Sequence, residues 1–280
     1  MKQTELIKLG EKYLKQENIQ DANIKAKLLL QYVLNQNRQQ TIINSENIVD
    51  KIKINEYEEY IKKLISGTPL QYITHIQQFM GLNYYVNENV LIPQPDTEIL
   101  VEESIKLINK KQTVEVLDLC TGSGAIAISI AYYCKQTKMT ATDISKSAIN
   151  VARKNAKSNN VNINFIESDL FNQIPDKKFD FIVSNPPYIE TDVINTLNED
   201  VKNEPYIALN GGKDGLDFYK RILDEAHNYL KQNGYLLLEI GYNQAKAITD
   251  LQYNNLKLLT QQPIKDLAGN DRVMIFIKEN

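Results

Sequence analysis

The sequence of 280 residues contains no tryptophan, only two histidines and only two cysteines. Cys120 and Cys134 do not form a C-x-x-C pair, which argues against a disulfide framework and against a zinc site. His75 and His227 are isolated in the sequence, so neither a metal cluster nor a nucleophile triad is indicated. We therefore expect no bound metal and a reducing, cytoplasmic location.

Long apolar runs and an excess of positive charge are also missing. No run approaches the roughly 20 apolar residues that span a bilayer, and the first residues are charged and amphipathic, unlike a secretory signal. The net charge of -3 provides no basic field for nucleic-acid phosphates. We therefore expect a soluble globular protein that acts as a monomer, without a membrane or nucleic-acid partner.

Helical spacing dominates the first 66 residues. Ile24, Leu28 and Tyr32, for example, recur on one helical face. A short hairpin is predicted around Gly81, and a proline-bounded connector follows it. The chain therefore opens with a helical part that a hairpin joins to the rest.

Strand and helix patterns alternate in the remainder of the chain, where Asp96 can cap a helix over about 97–109. The predicted strands are 114–119, 138–143, 162–167, 180–184 and 234–240. The further predicted helices are 124–134, 146–157, 215–231 and 243–251. This alternation predicts a parallel, doubly wound α/β sheet, and two strand-like runs near residue 280 predict an antiparallel pair at one edge. We expect a helical substrate-docking domain over 1–75, a hairpin linker over 76–95 and an α/β domain over 96–280.

A glycine-containing turn joins the first of these strands to its helix in "VEVLDLCTGSGAIAISIA". Gly122 and Gly124 let the backbone approach a ligand, and the helix N-terminus presents free N–H groups. A P-loop is excluded because no Gly-Lys-Ser/Thr follows. Gly122, Gly124 and Ala127 also fit the G-x-G-x-x-G/A fingerprint of NAD sites, so the loop alone leaves that alternative and an ordinary tight turn open.

Acidic residues follow the next two strands. Asp143 ends "MTATD", where a carboxylate can accept both hydroxyls of a ribose, and Asp169 lies just beyond "INFIES". Either carboxylate could instead cap the following helix. Because these groups fall at the carboxyl ends of parallel strands, their alignment favours a ligand site at that sheet edge.

The fourth strand ends in Asn-Pro-Pro-Tyr, residues 185–188. A residue before proline is held extended, so this backbone is stiff, and prolines leave carbonyl acceptors without N–H donors. The Asn185 side-chain oxygen and the Pro186 carbonyl can together accept two hydrogen bonds from one NH₂ group, while the Tyr188 ring stacks on its plane. The segment therefore predicts a frame for a planar amide or aromatic amine, although a simple turn after a strand has the same sequence.

The predicted frame suits a reaction that needs positioning more than acid–base chemistry. The nitrogen of an amide is a poor nucleophile because its lone pair is delocalised. Acceptors that hold both N–H bonds direct the lone pair toward an electrophile and stabilise the positive charge that develops on nitrogen. Methyl transfer from a sulfonium meets this description and has no use for a nicotinamide.

Several long motifs resemble one family. "LDLCTGSGAIAI", "ATDIS", "SDLF" and "VSNPPYI" are similar to the S-adenosylmethionine site of class I methyltransferases. With them, further motifs resemble the protein-(glutamine-N5) methyltransferases that act on bacterial peptide chain release factors: "GTPLQYI", "FMGLNYYV", "VLIPQPDTEILVE", "EPYIALNGGKDGLDFYKRI", "LLLEIGYNQ" and "DLAGNDRV". The resemblance covers nearly the whole chain from Ala22 onward.

The resemblance implies a Rossmann-like, seven-stranded, mostly parallel methyltransferase domain with a small helical N-terminal domain and a β-hairpin linker. It also implies that S-adenosylmethionine donates a methyl group to the side-chain nitrogen N5 of the glutamine in the Gly-Gly-Gln motif of release factors. The implied cofactor contacts are Cys120, Thr121, Gly122, Ser123, Gly124, Asp143, Asp169, Leu170 and Asn185. The implied substrate contacts are Asn185, Pro186, Pro187 and Tyr188, and of these Asn185, Pro186 and Tyr188 are the expected catalytic residues.

Three positions depart from the family pattern. Cys120 stands where glycine is frequent, Gln94 where arginine is usual, and Leu170 where tryptophan can occur. The alternatives to the main interpretation are a methyltransferase for a ribosomal protein glutamine, a DNA adenine N6-methyltransferase and a non-catalytic binding module. The DNA enzyme would need a basic groove and a target-recognition segment, neither of which is visible.

Overall fold

The computed structural model describes residues 1–260 and 262–279. The helices are α1 (Gln3–Gln16), α2 (Ala22–Leu34), α3 (Arg38–Ile43), α4 (Lys51–Ile65), α5 (Leu70–Thr74), α6 (Thr97–Ile108), α7 (Ala125–Tyr133), α8 (Lys146–Ser158), α9 (Thr191–Ile194), α10 (Glu199–Lys202), α11 (Tyr206–Leu209), α12 (Asp217–Tyr229) and α13 (Ala245–Thr249). The strands are β1 (Ile76–Phe79), β2 (Leu82–Tyr85), β3 (Val114–Leu119), β4 (Thr137–Asp143), β5 (Ile163–Glu167), β6 (Phe179–Ser184), β7 (Leu230–Glu239), β8 (Leu256–Leu258), β9 (Ile264–Lys265) and β10 (Asp271–Lys278). No described helix is long and apolar enough to cross a membrane.

The chain divides into two compact units. The first contains Met1–His75 together with Asn198–Asn203, and the second contains Ile76–Leu197 and Glu204–Asn280. The β1–β2 hairpin thus belongs to the second unit, paired antiparallel around the turn at Gly81.

The first unit is a helical bundle with its own apolar core. Buried residues of α1, α2 and α4 pack together, and the Tyr57 hydroxyl donates to the Ala26 carbonyl at 3.2 Å. Asp50 caps α4 by accepting from the Lys53 amide at 2.9 Å. Gly10 lies against the Tyr57 ring, where a Cβ atom would come within 2.0 Å of the hydroxyl, so a side chain larger than glycine is excluded there.

The second unit is built on a twisted sheet in the order β5-β4-β3-β6-β7-β10-β8, with β9 added beside β10. The first five strands of this order run parallel, and β10 is antiparallel to β7, β8 and β9. The predicted Rossmann-like, mostly parallel fold is confirmed, although the short strand β9 brings the sheet to eight strands where seven were predicted.

Alternating residues of the central strands fill two cores, one on each face of the sheet. On β6, Phe181 and Val183 pack on the face covered by α6 and α7, while Ile182 packs on the face covered by α12. Because both faces of a doubly wound sheet are covered, the sequences of its strands are continuous apolar runs. This explains why their positions were predictable from sequence.

One strand begins earlier than predicted. The predicted strand is 234–240, whereas β7 runs from Leu230 to Glu239. Asn233 adopts a positive φ of 56°, and the pairing of β6 with β7 shifts register between Phe179 and Phe181. Asn233 and Gly234 therefore form an irregularity inside the strand, as glycine in a strand often does.

Candidate active site

The strand registers bring the predicted site residues to one sheet edge. Leu119 at the end of β3 is paired with Thr142 on β4 and with Ser184 on β6. The chain turns from β3 toward β4 and β5 on one side, and returns to β6 on the other. This is a topological switch point, where open α/β sheets form a ligand crevice beyond the strand ends.

A cleft of about 190 Å³, partly open to solvent, occupies this crevice. It is lined by Asn89, Val90, Leu91, Cys120, Gly122, Asp143, Ile144, Ser145, Ala148, Ser168, Asp169, Leu170, Asn185, Pro187, Pro205, Ile207, Ala208, Phe218 and Arg221. The lining thus combines two carboxylates and two side-chain amides with a larger number of apolar side chains.

The glycine loop between β3 and α7 is held in place through Thr121. The Thr121 amide donates to the Thr142 carbonyl at 2.9 Å, and the Thr121 hydroxyl donates to Asp118 at 2.6 Å. Gly122, at φ +54°, lines the cleft, and a Cβ atom there would meet no atom within 4 Å. Gly124 serves packing instead, since a Cβ atom would come within 2.8 Å of Ile128 and 3.1 Å of Ala152.

Asp143 closes the loop from the neighbouring strand. Its carboxylate accepts from the Gly122 amide at 2.8 Å and from the Ser145 amide at 2.9 Å. Burial raises the pKa of this carboxyl, and the two backbone amides oppose that shift. Asp143 therefore fixes the glycine loop as well as lining the cleft, and it does not cap the following helix, since Ser145 accepts from the Ala148 amide at 3.2 Å.

Asp169 and Leu170 follow β5. Asp169 forms an ion pair with Arg221 of α12 at 2.8 Å, and both residues line the cleft. Leu170 has a positive φ of 48° and is buried with the core on the α12 face of the sheet, so it presents little more than one edge to the cleft.

Asn185 is half-buried and has a defined orientation. Its Nδ2 atom donates to the Thr97 hydroxyl oxygen at 3.1 Å, whereas its side-chain oxygen has no hydrogen-bond partner among the described residues and is available as an acceptor in the cleft that Asn185 lines. Thr97 and Asn185 both lie beside the Glu239 carboxylate at the end of β7. The Asn185 side-chain oxygen is therefore placed to accept a hydrogen bond from an N–H group of a substrate.

Two other segments of the chain pack against the backbone that follows Asn185. The Tyr188 carbonyl accepts from Gln244 at 2.9 Å, and Gln244 in turn accepts from the Gly241 amide at 3.0 Å. Gly211 lies so close that a Cβ atom would come within 2.6 Å of the Tyr188 Cα atom. These contacts show that "NGGKDGL" and "EIGYNQ" support the Asn-Pro-Pro-Tyr segment.

Some of the predicted site residues line the cleft, and others do not. Cys120, Gly122, Asp143, Asp169, Leu170, Asn185 and Pro187 line it. Thr121, Ser123, Gly124, Pro186 and Tyr188 do not line it. The lining residues that were not assigned from sequence are Asn89, Val90, Leu91, Ile144, Ser145, Ala148, Ser168, Pro205, Ile207, Ala208, Phe218 and Arg221. A signal was present for most of them, because all except Asn89 and Ala148 lie within the motifs that resemble the family.

The cleft residues fit the expected S-adenosylmethionine. Asp143 offers carboxylate oxygens for ribose hydroxyls, and Ile144, Leu170 and Ile207 offer apolar contacts for a flat adenine. Gly122 exposes its backbone to open space where a side chain would intrude.

Family models match two segments of the chain. Residues 5–74 match the PrmC N-terminal domain, and residues 95–204 match the methyltransferase small domain. The release factor glutamine methyltransferase of Clostridium acetobutylicum is 40% identical over 258 residues, which cover 90% of each chain.

Solved structures share the fold at lower identity. The crystal structure of a methyltransferase from Pyrococcus furiosus superposes with a TM-score of 0.54 at 21% identity, over 80% of this chain and 99% of that one. The Thermus thermophilus 16S rRNA N2 G1207 methyltransferase, in complex with AdoMet and guanosine, has a TM-score of 0.51 at 15% identity, over 73% of this chain and 50% of that one. With the sequence relationship over nine tenths of its length, this chain belongs to the release factor glutamine methyltransferase family.

Proposed function

We propose that this protein methylates the side-chain nitrogen N5 of the glutamine in the Gly-Gly-Gln motif of peptide chain release factors. The observation that carries this proposal is the oriented Asn185 amide, whose oxygen has no partner among the described residues and is available in the cleft that Asn185 and Asp143 both line. Its family membership agrees with this assignment. S-adenosylmethionine supplies an activated methyl group when it is bound.

The residues of the chain act by positioning. The Asn185 oxygen and the Pro186 carbonyl accept the two N–H bonds of the substrate amide, and Tyr188 and the prolines provide a flat apolar surface for it. A nitrogen held in this way keeps its lone pair directed at the methyl group, and the acceptors stabilise its growing positive charge. The nitrogen–methyl bond forms as the bond between that methyl carbon and the sulfonium sulfur breaks, the sulfur keeps the electron pair as a neutral thioether, and one amide proton leaves to solvent.

Mass spectrometry of a release factor tests the proposal. After incubation with the protein and S-adenosylmethionine, we expect one added methyl group on the Gly-Gly-Gln glutamine. A release factor with Gly-Gly-Ala in its place is the matched control and should gain none. Methylation of a ribosomal protein glutamine, without methylation of the release factor, would contradict the proposal and favour the ribosomal alternative.

Asp143→Ala is expected to weaken binding of S-adenosylmethionine by roughly 1.5–3 kcal/mol, the contribution of hydrogen bonds to a charged group. The loss has two sources, because the carboxylate also holds the Gly122 amide at 2.8 Å. Titration calorimetry measures the change. Asp176→Ala is the control, since that carboxylate is 99% exposed and lies outside the cleft lining. Equal affinities for wild type and Asp143→Ala would contradict the role of Asp143.

We also propose that the helical residues 1–75 dock the release factor. Four isoleucines within 42–52 expose large parts of their side chains: Ile42 66%, Ile43 79%, Ile48 80% and Ile52 78%. Exposed aliphatic side chains that recur in one stretch are typical of interaction sites, because they gain from being covered by a protein.

Replacing Ile43 and Ile52 by serine should therefore raise KM for an intact release factor about tenfold or more, since two large side chains lose their burial at the interface. The kcat value and the activity on a short Gly-Gly-Gln peptide should not change. Steady-state kinetics with both substrates measures this, and an unchanged KM for the intact protein would argue against docking through these isoleucines.

A further inference from the structure

We infer that Thr97 and Glu239 are positioning residues that hold the Asn185 amide with its oxygen facing the substrate. This inference rests on the proposed function and deepens it, because it explains how one of two possible orientations of that amide is selected. Both side chains lie at the NH₂ end of the Asn185 amide, away from its oxygen. They act through Asn185.

The three residues come from distant parts of the chain. Thr97 begins α6, Asn185 follows β6, and Glu239 ends β7. The Asn185 Nδ2 atom lies 3.1 Å from the Thr97 oxygen, while Thr97 and Glu239 are only 5% and 2% exposed. Since Thr97 uses its oxygen lone pair to accept from Asn185, its own hydroxyl proton is available for the adjacent Glu239 carboxylate.

Glu239 has no evident structural function that would explain its burial. Its Oε2 atom has no hydrogen-bond partner among the described residues. A buried carboxylate oxygen without a hydrogen-bond partner is costly, and carboxyl groups with perturbed pKa values cluster at functional sites. Burial raises the pKa of Glu239 to about 7, and Thr97, Arg272 and Asn185 oppose the shift.

Charged and titratable side chains from several other segments of the chain lie around Glu239. Arg272 of β10 lies near it and also pairs with Asp96 and Asp266, at 3.0 Å each. The Tyr188 hydroxyl lies nearby, and the Tyr219 hydroxyl of α12 donates to the Glu239 backbone carbonyl at 3.0 Å. Because Arg272 already has two carboxylate partners, it does not require Glu239 for its own charge.

The orientation matters because an amide presents opposite groups at its two ends. With its NH₂ toward Thr97 and Glu239, Asn185 offers only an acceptor to the cleft. Rotation by 180° would direct the NH₂ group at the N–H bonds of the substrate, donor against donor. A carboxylate behind the amide opposes this rotation, since the rotated amide would place its oxygen against a negative charge.

Thr97→Val and Thr97→Ser form the first test. Valine keeps the shape of threonine without the hydroxyl, whereas serine keeps the hydroxyl. We expect Thr97→Val to lower single-turnover methylation of a release factor about tenfold at saturating S-adenosylmethionine, and Thr97→Ser to restore most of it. Calorimetry should give the same S-adenosylmethionine affinity for all three proteins. Equal rates for valine and wild type, or equally low rates for valine and serine, would overturn the role of the hydroxyl.

Glu239→Gln provides a second test, because a purely structural role of Glu239 would not change the pH dependence of the methylation rate. The wild-type rate should fall as pH drops through about 7, where Glu239 takes up a proton, and the Glu239→Gln rate should be lower and independent of pH in that range. Since the folded-state pKa lies above the unfolded one, the ionised carboxylate destabilises the fold above pH 7. Glu239→Gln should therefore melt at a higher temperature at pH 8 while it methylates more slowly.

The same assays separate this inference from the proposed function. If the wild-type protein does not methylate release factors, the proposed function is wrong. If the wild-type protein methylates release factors but Glu239→Gln has the same rate and pH profile, only the inference about Thr97 and Glu239 is wrong.

Discussion

Asn185→Ala is expected to slow methyl transfer to a release factor about 10² to 10³-fold, the usual cost of losing one hydrogen bond formed in the transition state. The substitution removes the side-chain acceptor and leaves the Pro186 carbonyl alone, so one N–H of the substrate amide is unpaired. The nitrogen can then rotate its lone pair away from the methyl group.

Single-turnover kinetics at saturating S-adenosylmethionine measures this loss without contributions from binding or product release. Calorimetry should show only a minor change in S-adenosylmethionine affinity, because Asn185 is one of many residues around the cleft. Asn162→Ala is a suitable control, since that side chain is exposed and is outside the cleft lining. A wild-type rate in Asn185→Ala would mean that Asn-Pro-Pro-Tyr is an ordinary turn.

The aspartate variant at this position separates shape from charge. From sequence alone, Asn185→Asp keeps an acceptor of similar shape and is expected to retain part of the activity. The structure adds Glu239 on the far side of the amide, so two carboxylates would face one another and share a proton. We therefore expect activity in Asn185→Asp only at lower pH, and a decline as pH rises and the shared proton is lost. Alanine should show no such recovery.

The sequence was most informative where structure depends on neighbouring residues. The ends of β3, β4 and β6 were predicted because buried apolar runs stop at a glycine loop, at Asp143 and at Asn185. In a parallel sheet these ends share an edge, so the approximate composition of the cleft followed from the alternation of strands and helices.

Contacts between distant residues were not predictable in this way. Thr97 and Asn185 are 88 residues apart, and Gln244 and Tyr188 are 56 residues apart. Each contact requires a defined register and helix position, which the pattern of a single segment does not specify. The exact extent of β7 was mispredicted for a related reason, since the sheet accommodates Gly234 as an irregularity within the strand.

Gly211→Ala should show how closely the reaction depends on the backbone behind Asn-Pro-Pro-Tyr. A Cβ atom at this position would come within 2.6 Å of the Tyr188 Cα atom and 2.9 Å of the Pro187 carbonyl oxygen. These are backbone atoms of a stiff, proline-containing segment, so the segment itself must move. Overpacking of this kind costs about 1–3 kcal/mol of folding stability.

The larger effect should be on catalysis. A shift of about 1 Å in a positioned group can cost about 10²-fold in rate, so we expect a loss of that order in single-turnover methylation at saturating S-adenosylmethionine. Gly234→Ala is the matched control, because its Cβ atom would also meet a backbone oxygen, at 2.8 Å, but it lies toward the end of β7 opposite Glu239. Both variants should melt at lower temperature, but only Gly211→Ala should be slow below its melting temperature. Equal rates for the two folded variants would show that the acceptor frame tolerates displacement and that positioning contributes little.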